Sequence, residues 1–444
     1  MKLNWFSPLP PASTDIAHYT TRVLPALASR AEVTLWTDQE DWDAALKRYA
    51  EVRRYSPERV PWAELNRADM SVYHIGNNPL FHGSIWQLSR AAPGLVVLHD
   101  MRLHHFFDGL YRVKWRDLDA YQSVMCKYYG EQGRLDALEC FTQEARNIDS
   151  MAERYPLTQL ATENALGVLV HTREAFAQLK LERHRPAAYA PLPYEAGPRH
   201  QASQTSSEHD GGAINGPPYH LVVSGYLGRN RRLDALLKAL AELPQKEQFH
   251  LDIYGQVLDD NKHLRASIRA LGLKRLATIH GFVPEAELDQ ALARAHLAIN
   301  LRYPTMGEAS GSQLRIWSHA LPSLVTKVGW YASLPAETVA FVRPAHEIQD
   351  IQSHLKAFLN APGDFAMMGQ RGRALLEQEH APDAYAQAIL DFAHTARRHA
   401  AHHSAYKLAR RAGALMSDWI PPKSQDETFK RVATEIFTIM KDRG

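Results

Sequence analysis

The stretch Val222-Val-Ser-Gly-Tyr-Leu-Gly-Arg-Asn-Arg-Arg-Leu-Asp234 decides how the chain is read. An apolar strand runs into Gly225, a loop carries Gly228, Arg229, Arg231 and Arg232, and helical spacing opens near Leu233. A strand that turns through glycine into a helix is the repeating unit of a parallel α/β sheet. It also gathers a helix start and guanidinium charge, the chemistry that holds phosphate oxygens. The loop position predicts that Arg231 is exposed and adds little to stability. The same residues suit an ordinary strand-to-helix turn with solvated arginines, because a glycine-rich turn alone is a weak signal.

Outward from this stretch the alternation continues. Strands are predicted at 219–224, 250–254, 278–280, 297–301 and 323–326, with helices at 233–240, 261–271, 285–293 and 312–320 between them. Upstream, apolar runs at 2–6, 32–36, 70–74, 95–98 and 167–171 alternate with helical spacing at 16–28, 84–90 and 173–179. The fold class is therefore α/β, with two doubly wound Rossmann-like domains. The first covers 1–196. Its segment at about 101–162 is rich in Leu, Tyr, Glu and Arg and reads as a helical insertion, a lid or wall above the strand ends. Residues 197–218 are polar and small, the composition of a flexible linker. The second domain covers 219–380, and 381–444 form a helical tail. In that tail Ser424 and Glu427 make a capping box, and Phe429, Val432, Ile436, Ile439 and Met440 recur at helical spacing. This amphipathic helix suits docking on its own chain, with a partner or membrane surface as the other reading.

Bulk composition bounds the function classes. The chain has 444 residues, 45% hydrophobic and 23% charged, which suits two globular domains with an appendage. A formal charge of +2 gives no reason to invoke nucleic acid. Cys126 and Cys140 cannot build a disulfide framework, so a reducing, cytoplasmic setting fits. The N-terminal apolar run, broken by Pro8, Pro10 and Pro11, is too short for a signal-peptide core. No run approaches the ~18 apolar residues of a membrane span. A peripheral contact at the inner face of a membrane stays open.

A second chemical segment is Asn300-Leu-Arg-Tyr-Pro-Thr-Met-Gly-Glu-Ala-Ser-Gly-Ser-Gln-Leu-Arg315. A strand ends in a loop bearing Glu308, then Ser310, Gly311 and Ser312 open a helix whose first N–H groups suit an anion. Glu308 can accept hydrogen bonds from sugar hydroxyls; the bland alternative is a solvated acid beside a serine N-cap. His99 ends an apolar strand, with Asp100 next. It either contacts a ligand or is a satisfied core group, with Asp100 capping the following helix. Gly76 and Asn77, at another strand end, line the acceptor side or form a structural turn. His104 and His105 lack companions at metal-ligand spacing, so no metal is assigned.

Together these segments resemble the family 4 glycosyltransferases, retaining enzymes of the GT-B fold, over roughly residues 1–380. Pro10-Pro-Ala-Ser-Thr-Asp-Ile-Ala-His-Tyr19 resembles the family's first loop and helix, and Val97-Leu-His-Asp100 its His-Asp strand end. Residues 225–231 are similar to its phosphate loop, and His280-Gly-Phe-Val283 to the segment passing the nucleotide base. Glu308 with Ser310, Gly311 and Ser312 resembles its glutamate loop, and Leu321-Pro322 its helix-to-strand exit. The resemblance implies transfer of a sugar from a nucleotide diphosphate sugar to a hydroxyl of a saccharide, lipid-linked or other acceptor, as in polysaccharide or glycoconjugate synthesis. Glu308 is then the ligand of the sugar ring and His99 lies at the reacting face. Gly225, Arg231, Ser310, Gly311 and Ser312 hold the diphosphate without metal or other cofactor, and Gly281, Phe282 and Val283 flank the base. Two positions depart. Asp15 stands where the family usually has glycine, and Arg315 stands where it has a second glutamate. These departures keep in view a non-catalytic nucleotide-sugar-binding subunit; a nucleotide-sugar epimerase or hydrolase on the same fold, which needs a water or proton-transfer site, is the other alternative. Oligomeric state is not readable.

Overall fold

The structure, a computed structural model, describes residues 1–142, 148–181, 185–197, 217–256, 261–416 and 422–441. Apart from its ends, the 197–218 linker lies outside the described residues, as do the side chains of Ser424, Phe429 and Met440. The chain divides into two compact units, Met1–Pro191 with Asp383–Gly444, and Leu192–Pro382.

The first unit is built on a parallel seven-stranded sheet. Its strands are β1 (Lys2–Phe6), β2 (Glu32–Thr37), β3 (Glu51–Arg54), β4 (Met70–Ile75), β5 (Leu95–Leu98), β6 (Gly167–Val170) and β7 (Ala187–Tyr189), in the order β3-β2-β1-β4-β5-β6-β7. Strands β4, β5 and β6 are buried along their whole length, which is why they read as continuous apolar runs. The chain reverses direction across the sheet between β1 and β4, the kind of switch point where open α/β sheets bind ligands.

Where a helical insertion was expected at 101–162, the described residues form helices at His104–Asp108, Leu118–Thr142, Ile148–Arg154 and Thr158–Ala161, and they pack into the core of this unit. Leu103, Phe106, Phe107, Leu110, Tyr111, Tyr121 and Met125 are buried in one cluster with Phe6, Tyr73, Ile75, Val96 and Leu98 of the sheet. Large aromatic side chains at these positions bury too much apolar surface to leave the segment standing free. The long helix Leu118–Thr142 is interrupted at Gly130, whose φ of 70° is cheap only for glycine.

The tail is equally integral to this unit. The helix Pro382–Arg398 buries Tyr385, Ile389, Phe392, Ala393 and Ala396. A side chain at Gly167 would meet Phe392 at 2.9 Å and Ala396 at 3.3 Å, so β6 needs glycine where this helix crosses it. Tyr385 hydrogen-bonds Tyr19, and Arg397 pairs with Asp69. The final helices, Ala400–Met416 and Pro422–Lys441, pack on each other, with the His402 and Phe437 rings 4.7 Å apart. Among the described residues no helix is long and apolar enough to cross a membrane.

The second unit holds a parallel six-stranded sheet: β8 (Tyr219–Ser224), β9 (Phe249–Tyr254), β10 (Ala277–Gly281), β11 (Leu297–Asn300), β12 (Ser323–Thr326) and β13 (Ala340–Val342). Its order is β10-β9-β8-β11-β12-β13, so the switch point lies between β8 and β11. Leu297 is in register with Leu221 and Ala298 with Val222. That register brings the residues following Ser224 and those at Asn300 to the same edge of the sheet.

Candidate functional site

The two segments singled out in the sequence converge at the β8/β11 switch point. Gly225 leaves β8 at a φ of 117°, and a Cβ there would lie 2.7 Å from Nη2 of Arg231. Glycine therefore clears the space that the guanidinium occupies. Arg231 ends a short 3₁₀ turn, Arg229–Arg231, and is only 7% exposed, contrary to the exposed loop arginine expected from sequence. The turn folds it back over the strand end, where Nη1 donates to Asn300 Oδ1 at 2.8 Å and Nε to the Tyr226 carbonyl at 3.3 Å. The next residue, Arg232, adopts a φ of 56° and forms a two-pronged ion pair with Glu347, which anchors the loop.

Asn300 joins this arginine to a helix start. Its Oδ1 also accepts from Ser312 Oγ at 3.2 Å, while its Nδ2 donates to Gln313 Oε1 at 3.0 Å. Ser310 caps the helix Gly311–Ser318: its Oγ accepts from the Gln313 N–H and from the Tyr331 hydroxyl, and lies 3.0 Å from Ser312 Oγ. Among the described residues none accepts the N–H of Gly311 or Ser312. The Ser312 hydroxyl and a buried guanidinium thus meet at one amide oxygen, next to two backbone donors at the positive end of a helix, an arrangement suited to an anion with several oxygens.

Glu308 is neither solvated nor idle. It forms an ion pair with Arg302 and accepts from the Thr305 hydroxyl and the Met306 N–H, each at 2.7 Å. Burial pushes its pKa up, but the Arg302 guanidinium and these hydrogen bonds outweigh burial and hold the carboxyl below the usual range. It is a fixed anion within its own loop. Arg315 lies on the same helix as Ser312 but faces elsewhere: Nε donates to Asp289 Oδ1 at 2.9 Å and Nη2 to the Glu285 carbonyl at 3.0 Å. It braces two helices. Gly281 ends β10 at a φ of 78°, Phe282 is 72% exposed, and Val283 packs against the Leu292 cluster. Phe282 is thus an exposed aromatic residue two positions after His280, whose ring stacks flat on Tyr254 with centroids 4.2 Å apart.

The remaining sequence candidates lie in the first unit. His99 follows β5, half-buried, with Nε2 at 3.1 Å from Nδ1 of His74, the fully buried penultimate residue of β4. His171, Tyr19 and Tyr385 surround the pair, with centroids 5.0 Å from Tyr19 to His99 and 5.1 Å from His99 to His171. Burial first, and the neighbouring imidazoles second, hold both His74 and His99 well below the ordinary histidine pKa. Asp100 does not cap the helix His104–Asp108; it accepts instead from the Asn77 N–H at 2.9 Å. The Asn77 amide oxygen accepts from the Phe106 N–H, which ties this strand end to the helix His104–Asp108. Gly76 is closely covered, a Cβ there meeting Ile16 at 2.7 Å. Asp15 opens the helix Asp15–Ala28, exposed and capped from Thr14. His104 is held by the Tyr155 carbonyl and the Tyr121 hydroxyl, and His105 by Asp149. Among the described residues no group of three or more His, Cys, Asp and Glu side chains could hold a metal ion.

Sequence reading missed Asn300 as the link, Gln313, Tyr331, His74, His171 and Tyr385. Asn300 and His74 sit at or next to strand ends, as His99 does, and that shared position was the available signal. Tyr385 gave none, being far along the chain.

Residues 205–375 match the family model described as Glycosyl transferases group 1. None of the curated proteins matches the sequence. Among solved structures, sucrose-phosphate synthase from Thermosynechococcus elongatus superimposes with a TM-score of 0.60 at 16% identity, over 89% of this chain and 98% of that one. Anabaena Alr3699/HepE, solved in complex with UDP, gives 0.56 at 15% identity over 89% and 99%. A glycosyltransferase from Rickettsia africae gives 0.59 at 12% identity over 89% and 98%. The architecture is the GT-B fold, and the stretch similar to the group 1 glycosyltransferase model falls within the second unit.

Proposed function

We propose that the chain is a retaining glycosyltransferase that moves a sugar from a nucleotide diphosphate sugar to an acceptor hydroxyl. The observation that carries this reading is the junction of Arg231 with the Gly311–Ser318 helix start through Asn300 Oδ1. When the glycosidic bond breaks, the departing diphosphate gains negative charge. A buried guanidinium and preset N–H donors stabilise that charge without reorganising, and they do so at low local dielectric. The proposal needs no divalent metal. The Anabaena neighbour's complex with UDP supports a nucleoside diphosphate as the donor's leaving part.

Glu308, already anionic, serves the sugar end. Its carboxylate keeps lone pairs for a hydroxyl while Arg302 and Thr305 fix its direction. Phe282 and the Gly281 turn are assigned to the base side. In the first unit it is the resemblance of Val97-Leu-His-Asp100 that assigns His99 a sugar-contacting role.

Calorimetry with UDP, GDP and ADP, followed by incubation with their sugar conjugates and mass analysis of products, tests the reading. Transfer to an added saccharide or lipid-linked acceptor supports it. Free sugar alone would point to hydrolysis, an altered donor sugar to epimerisation, and binding without turnover to a partner subunit.

A further inference from the structure

The buried imidazole pair of the first unit assigns a proton. His74 is 0% exposed, its Nδ1 lies 3.1 Å from His99 Nε2, and its own Nε2 is buried with no hydrogen-bond partner among the described residues. One nitrogen of the pair must donate, which leaves two arrangements. If His99 Nε2 carried the hydrogen, His74 would hold its proton on Nε2, as an N–H sealed among Trp5 and Tyr19 with nothing to accept it. If His74 Nδ1 carries it, the unpartnered Nε2 is a bare lone pair. An orphaned buried N–H is the rarer and costlier of the two. The charged alternative, a doubly protonated ring, is opposed by burial at both residues.

We infer that His74 is a positioning residue: it donates from Nδ1 to His99 Nε2 and thereby fixes His99 as a neutral ring with its proton on Nδ1. His99 then offers its ligand an N–H donor and cannot act there as a proton acceptor. The surroundings hold this state. His82 Nδ1 lies 2.9 Å from the His74 carbonyl, and His171 Nδ1 lies 3.0 Å from the Ala190 carbonyl, so each of these rings is anchored by backbone. The partner to which such a donor is suited is a hydroxyl oxygen of a sugar, a role that rests on the transferase reading above. A neutral donor orients that hydroxyl without supplying a base, which agrees with a reaction in which the leaving diphosphate assists the incoming hydroxyl.

The state of the ring is measurable without any substrate. Long-range proton–nitrogen NMR of the full chain, with histidine labelled and His99 assigned by His99→Gln, reports which nitrogen is protonated. The expected spectrum at pH 7.5 shows His99 protonated at Nδ1 and bare at Nε2; protonation at Nε2 overturns the inference. His74→Phe keeps bulk and removes the donor, whereas His74→Asn keeps an N–H near the Nδ1 position. The fixed tautomer should be lost in the first and retained in the second. An unchanged His99 tautomer in a folded His74→Phe chain also overturns it. In turnover, His74→Phe should lower kcat by roughly five- to tenfold, with little change in KM for the donor and recovery in His74→Asn. A kcat untouched by His74→Phe refutes the positioning role. Correct tautomers in a wild-type chain that transfers no sugar would sink the transferase reading and leave the assignment standing.

Discussion

Acid should unfold the first unit through histidines that the fold keeps neutral. His82 and His104 are 1% and 0% exposed, and burial lowers the pKa of each to about 4. His104 shows why the neutral form is preferred: Nδ1 donates to the Tyr155 carbonyl at 2.7 Å, and Nε2 accepts from the Tyr121 hydroxyl at 2.6 Å. In the unfolded chain each ring returns to an ordinary pKa of about 6.5. Above that value both states are neutral and nothing is lost. As pH falls through it, the unfolded chain takes up a proton that the folded chain refuses, so stability declines until about pH 4. At pH 5.5 the cost is RT times the logarithm of about 11, or about 1.4 kcal/mol for each ring. Two rings give about 3 kcal/mol, a large share of a typical 5–15 kcal/mol total. His74 and His99 act in the same direction. Urea unfolding at pH 7.5, 6.5 and 5.5, at constant ionic strength and followed by tryptophan fluorescence, measures this slope. His104→Gln lowers stability at every pH, but its slope should be shallower by about 1.4 kcal/mol across the range. Comparing slopes cancels every group that titrates alike in both proteins. Equal slopes for wild type, His104→Gln and His82→Gln would refute the argument.

Three further outcomes are expected. Arg231→Met, which keeps the stem and removes the charge, should weaken nucleoside diphosphate binding by roughly tenfold or more in calorimetry. Because the guanidinium is buried against Asn300, this variant should also melt at lower temperature. Glu308→Gln should reduce turnover more than it reduces affinity for the bare nucleoside diphosphate; equal losses would move Glu308 to the nucleotide. It should also loosen the loop, since the ion pair with Arg302 is lost. Activity should persist after EDTA treatment, because Arg231 and the helix start already provide the positive potential; full loss restored by magnesium or manganese would contradict the phosphate site.

The central strands were legible because both faces of them are covered, which forces uninterrupted apolar runs such as Leu95–Leu98 and Leu297–Asn300. Of the four edges, only β10 was. Glu-Val-Arg-Arg at β3 is mostly charged on a sheet margin, and β7 and β13 are three residues each, too short for any period to emerge. The insertion at 101–162 was recognised as helical from its composition, yet its place in the core depended on where Phe106, Phe107 and Tyr121 point, and composition carries no direction. The tail was recognised as helical, but what it packs against was hidden for a related reason. Glycine at 167 and phenylalanine at 392 explain one another only after β6 and the Pro382–Arg398 helix are laid together.

The site divides along the same line. Arg231, Ser310 and Ser312 were singled out because strand-to-helix loops in a doubly wound sheet carry anion sites at predictable places. What the sequence could not supply was pairing. Arg231 reads as a solvent residue among three arginines, and its burial follows from Gly225 having no side chain and from Asn300 standing in register across β8 and β11. Glu308 was singled out correctly as an acid beside a helix start, but its partners Arg302 and Thr305 turn a free acceptor into an oriented one. His99 was found by its place after β5, while His74, at the neighbouring strand end, was passed over. In a parallel sheet, adjacent strands finish side by side however far apart they lie in the chain. Polar residues at two such ends, here 25 positions apart, are therefore the pairs to examine together when only a sequence is in hand.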